Sequence, residues 1–321
     1  YGLPNGVPEL SRIMAELLGV HENEIVLGGN SSLTMMYDAV CRAMFFGTDS
    51  VSAPWKDQGT VKFLCPAPGY DRHFAITERF GIEMLPVPMT GHGPDMDMVE
   101  ALAQSDAAVK GMWCVPKYSN PTGETYSEET VRRIASLRPA APDFRVFWDM
   151  AYALHDLDST PDELLNIFAL TRGTENENLV LGFFSTSKIT YAGAGVAMMI
   201  SGADNVKRAR AEIAYQTISP DKMNQLRHAR YLACADNVRA LMRRHASVLK
   251  PKFDTVTRVF QKEFSDCGFA SWTEPHGGYF LSLDVLPGTA RRTVELCKNA
   301  GVTLTPAGST YPLSLIHISE P

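Results

Sequence analysis

The residue with the most evident chemistry in this sequence is a lysine that follows three hydroxyl residues. Lys188 ends the run Ser185-Thr186-Ser187-Lys188, which comes directly after the apolar segment Leu179–Phe184. An amine at the end of a buried strand can act as a Schiff-base nucleophile once its surroundings lower its pKa. A solvated surface lysine is the simpler interpretation, and the run taken alone favours it.

A glycine-rich cluster lies near the start of the chain, between an apolar run and a helical pattern. It reads Gly28-Gly29-Asn30-Ser31-Ser32. Glycine allows the backbone to approach a ligand closely, and the N-terminus of the following helix offers free N–H groups and a positive dipole end to an anion. The alternative, which the cluster alone favours, is an Asn or Ser cap on an ordinary helix.

Two further polar clusters also follow apolar runs. Asn120-Pro121-Thr122-Gly123 is typical of a turn when considered by itself. Asp149-Met150-Ala151-Tyr152 begins at the end of Phe144–Trp148, and an ionised carboxylate at the edge of an apolar strand needs a cationic partner. A protonated pyridine nitrogen would be such a partner, and a helix cap or a salt bridge would serve as well.

An alternation of strand and helix patterns places these clusters between residues 24 and 202. Apolar runs predict strands at Glu24–Gly29, Val61–Ala67, Ile82–Pro88, Gly111–Pro116, Arg145–Trp148, Leu179–Phe184 and Gly195–Ser201. Helical patterns between them include Ser32–Phe46, Tyr70–Phe80, Asp95–Gln104, Ser127–Ser136 and Asp162–Ala169. Apolar runs without alternation indicate strands buried on both faces, and the β-α-β-α order predicts an α/β fold with a mostly parallel sheet. Ligands bind such sheets beyond the carboxyl ends of the strands, where all four clusters lie.

The pattern changes after Gly202, where the sequence becomes largely helical as far as residue 265. Breaks are predicted at Ser219-Pro220 and at Pro251. A glycine-rich strand signal at His276–Leu283, a helix at about 289–299 and a last strand at Val302–Thr305 follow. We therefore expect four parts: an N-terminal segment (1–19), a large domain (20–245), a smaller α+β domain (246–312) and a tail (313–321).

The overall composition excludes several classes of protein. The chain has 321 residues, of which 45% are hydrophobic and 21% charged, and its net charge is −6. This composition is ordinary for a globular protein, and without a Lys/Arg run we expect no nucleic-acid partner. No apolar run reaches the roughly 18 residues that span a membrane.

The first residues of the chain and its cysteines bear on localisation and on metal binding. No signal peptide is visible after Tyr1, so we expect a cytoplasmic protein, although the absence of an initiating Met leaves a lost leader open. The six cysteines form no CxxC pair and no metal-ligand spacing, so we expect no metal site. Several of them sit in apolar runs, which predicts buried thiols in a reducing compartment.

The motifs GGNSS, PAPGY, NPTG, DxAY and SxSK follow one another in this order along the chain. Their order and spacing resemble fold-type I enzymes that use pyridoxal phosphate (PLP), specifically the class I/II aminotransferases. The resemblance extends from Tyr1 to about Pro312 and is strongest to a divergent aspartate-aminotransferase-like subgroup related by name to MocR-type proteins. It implies PLP as the cofactor of the large domain, an amino acid and a 2-oxo acid as substrates, and a homodimer whose active sites lie between the subunits.

The resemblance also implies roles for individual residues. Lys188 would form the Schiff base with PLP and then transfer the proton between the substrate Cα and the cofactor. Asp149 would pair with the pyridine N–H, while Tyr152, helped by Asn120, would bond the phenolic oxygen. The other residues implied for the cofactor are Tyr70 on the ring face, Gly29, Asn30, Ser31, Ser32 and Ser185 at the phosphate, and Tyr1 at the phosphate of the partner subunit.

Two features depart from the family pattern. Most members carry a phosphate-binding arginine soon after the Schiff-base lysine, but residues 189–196 contain none. We therefore expect helix N–H groups, hydroxyls or a basic residue from elsewhere to meet the phosphate charge. The family also binds the substrate carboxylate with an arginine well beyond the run Gly277-Gly278-Tyr279-Phe280, whereas Leu313–Pro321 does not continue the pattern. This predicts a truncated reading frame with a non-native tail, weakly active as it stands.

The resemblance leaves the reaction partly open. Aspartate with 2-oxoglutarate is the expected substrate pair, and Lys117 and Arg72 are candidates for binding the side-chain carboxylate unless they are surface charges. A β-lyase or a decarboxylase would share the same cofactor site. A domain that binds PLP as a sensor without turnover, as in MocR-type regulators, is the alternative from another class, although the sequence shows no DNA-binding segment.

Overall fold

The computed structural model describes residues 2–312 of the chain. Its helices are α1 (Pro8–Leu18), α2 (Ser32–Phe46), α3 (Asp71–Arg79), α4 (Met96–Ser105), α5 (Glu128–Ala135), α6 (Ile167–Thr171), α7 (Ala203–Thr217), α8 (Lys222–Leu232), α9 (Ala235–Phe264) and α10 (Ala290–Asn299). Its strands are β1 (Ile25–Leu27), β2 (Lys62–Ala67), β3 (Glu83–Pro88), β4 (Val109–Cys114), β5 (Arg145–Asp149), β6 (Val180–Ser185), β7 (Ala197–Ile200), β8 (Ala270–Trp272) and β9 (Leu283–Val285). Tyr1 and the predicted tail Leu313–Pro321 lie outside the described residues.

The main sheet of the described chain has seven strands in the order β1-β7-β6-β5-β4-β2-β3. Strands β3, β2, β4, β5 and β6 run parallel to one another, and β7 runs antiparallel to both of its neighbours. This confirms the predicted α/β class with a mostly parallel sheet. Each of the seven strands predicted in this part of the sequence is present, and its ends agree with the prediction within two residues.

The central strands form where apolar side chains can be buried on both faces of the sheet. Every residue of β4, β5 and β6 is buried. Trp113, Phe147 and Phe183 belong to a core shared with α2, α3 and α7, whereas Met112 and Val146 belong to a second core shared with α1, α4, α5, α6, α8 and α9. Because burial of one large apolar side chain contributes about 1.5–3 kcal/mol, these two cores hold the strand ends that carry the site.

Four of the helices predicted between the strands, α2 to α5, are confirmed within one residue at each end. The fifth, predicted at Asp162–Ala169, begins only at Ile167. The Asn166 side chain caps this short helix by accepting the N–H groups of Phe168 at 3.0 Å and Ala169 at 3.2 Å, which fixes its start. No helix within residues 2–312 is both long enough and apolar enough to cross a membrane.

The helical region after β7 differs from the prediction at one proline. The break at Ser219-Pro220 is confirmed between α7 and α8, but α9 continues through Pro251, so the break predicted there is wrong. Proline removes one N–H donor and crowds a carbonyl one turn earlier, and this stretch of α9 is exposed enough for water to solvate that carbonyl. The chain breaks instead at Ala233, whose φ is 60°. The domain boundary near residue 246 falls inside α9 and stays a prediction.

The C-terminal part of the described chain has less strand than the sequence suggests. Strands β8 and β9 pair antiparallel, and β8 was not predicted. The strand predicted at His276–Leu283 is wrong over most of its length, because in the described chain residues 276–282 form no ladder, and Gly277, which lies against the ring of Tyr118, makes only an isolated bridge to Asp156. The strand predicted at Val302–Thr305 is also wrong, since it finds no strand partner within residues 2–312, whereas the helix at about 289–299 is confirmed as α10.

Candidate active site

Four neighbouring strands deliver the predicted site residues to one edge of the sheet. Asp149 is the last residue of β5 and Ser185 the last of β6, and the following 3-10 turn Thr186–Lys188 carries the lysine. Tyr70 follows β2 and directly precedes α3, and Asn120 lies in the loop after β4. Because these four strands are parallel, their carboxyl ends meet, as the positions of the motifs predicted.

Hydrogen bonds hold the turn that carries Lys188, whereas the side-chain amine of Lys188 forms none within the described residues. Thr186 supports the turn through its carbonyl, which accepts the N–H of Ile189 at 2.9 Å, and through its hydroxyl, which accepts the N–H of Val196 at 2.8 Å. The Lys188 Nζ lies 4.8 Å from the centre of the Tyr152 ring and has no hydrogen-bond partner within residues 2–312. Burial lowers the pKa of this amine, and the charge of Asp149 opposes that change in part.

The carboxylate of Asp149 is almost completely buried and held at both oxygens. Its side chain is 6% exposed, its Oδ1 accepts the N–H of Ala151 at 3.1 Å, and its Oδ2 lies 3.1 Å from the Nε2 of His73. The His73 side chain is 2% exposed. Two donors therefore fix the orientation of a carboxylate that is otherwise costly to bury.

His73 is a site residue that the sequence reasoning missed. Its ring stacks on Trp113, with centroids 4.4 Å apart and planes at 10°, and the Trp113 Nε1 donates to the Thr77 hydroxyl at 2.8 Å. That hydroxyl donates in turn to the His73 carbonyl at 2.8 Å. The available signal was the position of His73 in the first turn of the helix that follows Tyr70, at the same edge of the sheet.

Several polar side chains around Asp149 form no hydrogen bonds with one another. Tyr152 is 4% exposed, and burial, followed by the charge of Asp149, raises the pKa of its hydroxyl. The same two causes raise the pKa of Tyr70, whose ring meets His73 edge-on at 5.0 Å. Within residues 2–312, no hydrogen bond involves the side-chain polar groups of Tyr70, Asn120, Tyr152, Ser185 or Lys188.

Unpaired polar groups at the mouth of a buried site indicate a ligand that supplies the missing partners. The groups present are an amine, two phenols, an amide and a hydroxyl around a buried carboxylate. This donor set fits PLP, whose aldehyde, ring oxygen, ring nitrogen and phosphate would each find a suitable partner.

The glycine-rich loop Gly28–Ser32 lies beside the segment that follows Lys188. The Asn30 Nδ2 donates to the Gly193 carbonyl at 2.6 Å, and the Ser187 hydroxyl donates to the Asn30 carbonyl at 3.1 Å. The Ser31 hydroxyl accepts the N–H of Thr34 at 3.3 Å, so it caps α2, as the alternative interpretation of this cluster required. The N–H groups of Ser32 and Leu33, which precede Thr34 in α2, have no acceptor within the described residues and remain available to an anion.

Residues 189–196, where most family members carry the phosphate-binding arginine, contain no basic residue, so a basic side chain near the loop must come from elsewhere in the chain. A cavity of about 280 Å³ is lined by the loop Gly28–Ser31 and also by Asp38, Arg42 and Gln216. Burial lowers the pKa of the Arg42 guanidinium, and the charge of Asp38 opposes this. Arg42 is thus a basic residue that lines the same cavity as the loop.

Lys117 and Arg72, the two candidates for binding the substrate carboxylate, occupy different environments: Lys117 is largely buried in an ion pair and Arg72 is exposed. The Lys117 Nζ donates to Asp156 Oδ1 at 2.7 Å and its side chain is 10% exposed, so its charge is already neutralised by the protein. The Arg72 side chain is 61% exposed and lies 3.8 Å from Asp71. Neither contact brings these charges to Lys188. Tyr1, implied at the partner's phosphate, lies outside the described residues.

A mostly parallel sheet with a lysine and a buried aspartate at the ends of adjacent strands defines the fold-type I PLP enzymes. The chain belongs to the aspartate aminotransferase family, since the family model described as aspartate amino-transferase matches residues 1–315. It is similar to a putative aminotransferase of Mycolicibacterium smegmatis, with 50% identity over 97% of this chain and 73% of the relative.

Two comparisons concern Corynebacterium glutamicum. An aspartate aminotransferase of that organism is 49% identical over 98% of this chain and 72% of the relative. The crystal structure of an aspartate transaminase from the same species matches with a TM-score of 0.94 at 50% identity, over 98% of this chain and 74% of the other. The resemblance seen in the motifs is confirmed: the chain is a transaminase that uses PLP to move amino groups between amino acids and 2-oxo acids.

Proposed function

We propose that this chain transfers the amino group of L-aspartate to 2-oxoglutarate, with Lys188 as the residue that bonds PLP. The observation that carries the proposal is the Lys188 amine, which is partly buried, lies beside Asp149 and has no hydrogen-bond partner within residues 2–312. The similarity to an aspartate aminotransferase of Corynebacterium glutamicum supports aspartate as the donor.

Two residues would carry the proton chemistry. Bound PLP supplies an electron sink that makes the Cα–H bond of the substrate acidic. Lys188 would take this proton and return it, because burial lowers its pKa and raises the share of free amine at neutral pH. Asp149, oriented by His73, would keep a proton on the pyridine nitrogen, since a buried carboxylate favours a cationic neighbour.

The remaining groups would hold and orient the cofactor. The Tyr152 hydroxyl and the Asn120 amide would bond the ring oxygen, and the Tyr70 ring would cover one ring face. The Ser185 hydroxyl and the first N–H groups of α2 would bind the phosphate, which gains from the positive end of the helix. Asn30 and Ser31 would shape this loop through the contacts described above, and Gly29 through its carbonyl, which accepts the N–H of Ala197 at 2.7 Å.

Borohydride trapping tests the role of Lys188. The chain is loaded with PLP, its visible spectrum is recorded, and it is reduced with borohydride and mapped by peptide mass spectrometry. We expect the cofactor on the peptide that contains Lys188, no trapped cofactor in Lys188→Ala, and normal trapping in Lys56→Ala, whose side chain is 44% exposed. A trapped cofactor on another lysine, or equal trapping in Lys188→Ala, would refute the assignment.

The products formed from L-aspartate test the reaction. Transamination predicts oxaloacetate and the pyridoxamine form of the cofactor, followed by glutamate when 2-oxoglutarate is added. Pyruvate with ammonia would identify a lyase, and release of carbon dioxide would identify a decarboxylase. Bound PLP without turnover of any amino acid would instead favour a sensor domain.

The proposal extends to assembly and location. A homodimer would complete each site with residues of its neighbour, including Tyr1 at the partner's phosphate, and the free cysteines of the chain are compatible with a reducing cytoplasm. Light scattering on the PLP-loaded chain tests the dimer, and a monomer that binds PLP with full affinity would contradict it.

A further inference from the structure

Three aromatic rings form a cluster behind the main chain of Lys188. The rings of Tyr152, His155 and Tyr279 meet edge-on, with centroid distances of 5.7 Å for Tyr152 to His155, 5.2 Å for His155 to Tyr279 and 5.8 Å for Tyr152 to Tyr279. Such edge-on packing is favourable and restricts each ring to one orientation. Two of these side chains carry a polar group that reaches the same acceptor.

That acceptor is the carbonyl oxygen of Lys188. The Tyr279 hydroxyl donates to it at 3.1 Å, and the His155 Nε2 lies 3.4 Å from it. His155 is 3% exposed, and its Nδ1 is buried without a hydrogen-bond partner in the described chain. A neutral imidazole with its hydrogen on Nε2 satisfies this arrangement, because the Lys188 carbonyl can only accept.

The segment that carries Tyr279 is fastened to the same region by its backbone. The N–H of Gly278 donates to the His155 carbonyl and the N–H of Leu157 donates to the His276 carbonyl, both at 2.8 Å. A Cβ on Gly278 would lie 2.8 Å from the Cβ of Tyr118, so the close approach requires glycine. Tyr279 is therefore held in register with His155 rather than projecting from a free loop.

We propose that Tyr279 and His155 are positioning residues for Lys188, which fix its carbonyl and thereby the direction in which the turn Thr186–Lys188 presents the amine. A lysine side chain has four rotatable bonds, so the site depends on how firmly the main chain at its base is held. The two donors also connect residues 276–279 to the lysine, so that a displacement of this segment reaches Lys188. The consequence for catalysis rests on the proposed role of Lys188, whereas the restraint on the turn does not.

Hydrogen exchange in the PLP-free chain tests the restraint directly. The N–H groups of Ile189 and Thr190 both donate to the Thr186 carbonyl at 2.9 Å, so their exchange reports opening of the turn. Loss of one hydrogen bond in Tyr279→Phe should speed their exchange about fivefold. Tyr231→Phe is the matched control, because Tyr231 is 66% exposed. Unchanged exchange in Tyr279→Phe, or equal acceleration in the control, overturns the proposal.

Substitutions at His155 separate donation from packing. His155→Gln keeps an N–H donor and should exchange like the wild type, whereas His155→Leu removes the donor and should exchange faster. In the PLP-loaded chain, Tyr279→Phe should lower kcat several-fold with little change in KM. If exchange responds as expected but PLP is not trapped on Lys188, the proposed function fails and the positioning stands. If trapping succeeds but exchange does not respond, the positioning fails alone.

Discussion

Acidification from pH 7 to pH 4 is expected to destabilise this fold through one buried histidine. His155 is 3% exposed, and burial lowers its pKa to about 4 from 6.5. Its hydrogen bond to the Lys188 carbonyl opposes this lowering and the charge of Asp156 does so as well, whereas Lys188 and His245 add to it. In the unfolded chain the same imidazole is free to titrate near 6.5.

The sign and size of the effect follow from this difference. Below pH 6.5 the unfolded chain binds a proton that the folded chain does not, so the free energy of unfolding falls as the pH drops to about 4 and then stays at its lower value. At 1.36 kcal/mol for each pKa unit, the difference corresponds to about 3 kcal/mol. A single domain is stable by about 5–15 kcal/mol, so a loss of this size is easily measured.

Urea unfolding of the PLP-free chain, followed by far-UV circular dichroism at pH 7 and pH 4, is the assay. His155→Gln is the reference, because it keeps an N–H donor and does not titrate. All other ionisable groups titrate in both proteins, and the difference between the two losses isolates His155. We expect the wild type to lose about 3 kcal/mol more than the variant. Equal losses would refute the conclusion that the folded chain keeps this histidine neutral.

Three further predictions concern the scaffold. Lys110→Met strands the buried carboxylate of Asp143, which Nζ approaches to 2.7 Å, so urea unfolding should show a loss of about 3–5 kcal/mol that Asp143→Leu largely restores. Gly277→Ala forces a methyl group into the Tyr118 ring and should cost about 1–3 kcal/mol in the same assay. Ser31→Ala removes the cap of α2 and should cost about 1 kcal/mol. An unchanged urea midpoint in any variant contradicts the contact concerned.

The main sheet was predictable because its signal is local and strong. An apolar run such as Arg145–Trp148 is buried on both faces, and few other structures accommodate such a run in a chain of ordinary composition. The alternation of these runs with helical patterns then determined the parallel topology and placed Lys188 and Asp149 at one edge. The antiparallel direction of β7 carries no comparable local signal, since the same residues would suit either direction.

The C-terminal elements could not be predicted in the same way, because their structure depends on contacts with distant residues. The alternation in His276–Leu283 is compatible with a strand, but Gly277 forms only an isolated bridge to Asp156 and lies against the ring of Tyr118 within the described residues. Pro251 is a helix breaker by local rules, yet exposure of its turn makes the missing hydrogen bond inexpensive. In both cases the tertiary environment outweighs the local preference.

The order of the motifs predicted the candidate cofactor-binding residues. It did not predict the residues that orient their side chains. Asp149 was placed at the end of its strand by sequence, whereas its partner His73 lies 76 residues earlier and only the folded structure brings the two side chains together. For Ser31 the sequence offered two interpretations, a phosphate ligand or an ordinary helix cap. Its side chain caps α2, as the second interpretation predicts.

Lys188 itself illustrates why a motif and a fold are both needed to assign an amine. By local rules the run that contains it favours a solvated surface lysine, and nothing in that run specifies burial. The donors that fix its carbonyl come from positions 33 residues earlier and 91 residues later, and the carboxylate that attracts its charge belongs to another strand. A strand-end lysine becomes a candidate nucleophile only where such distant contacts hold its base and leave its amine unpaired. The order of the motifs was informative because it required all of these segments to meet at one edge of the sheet.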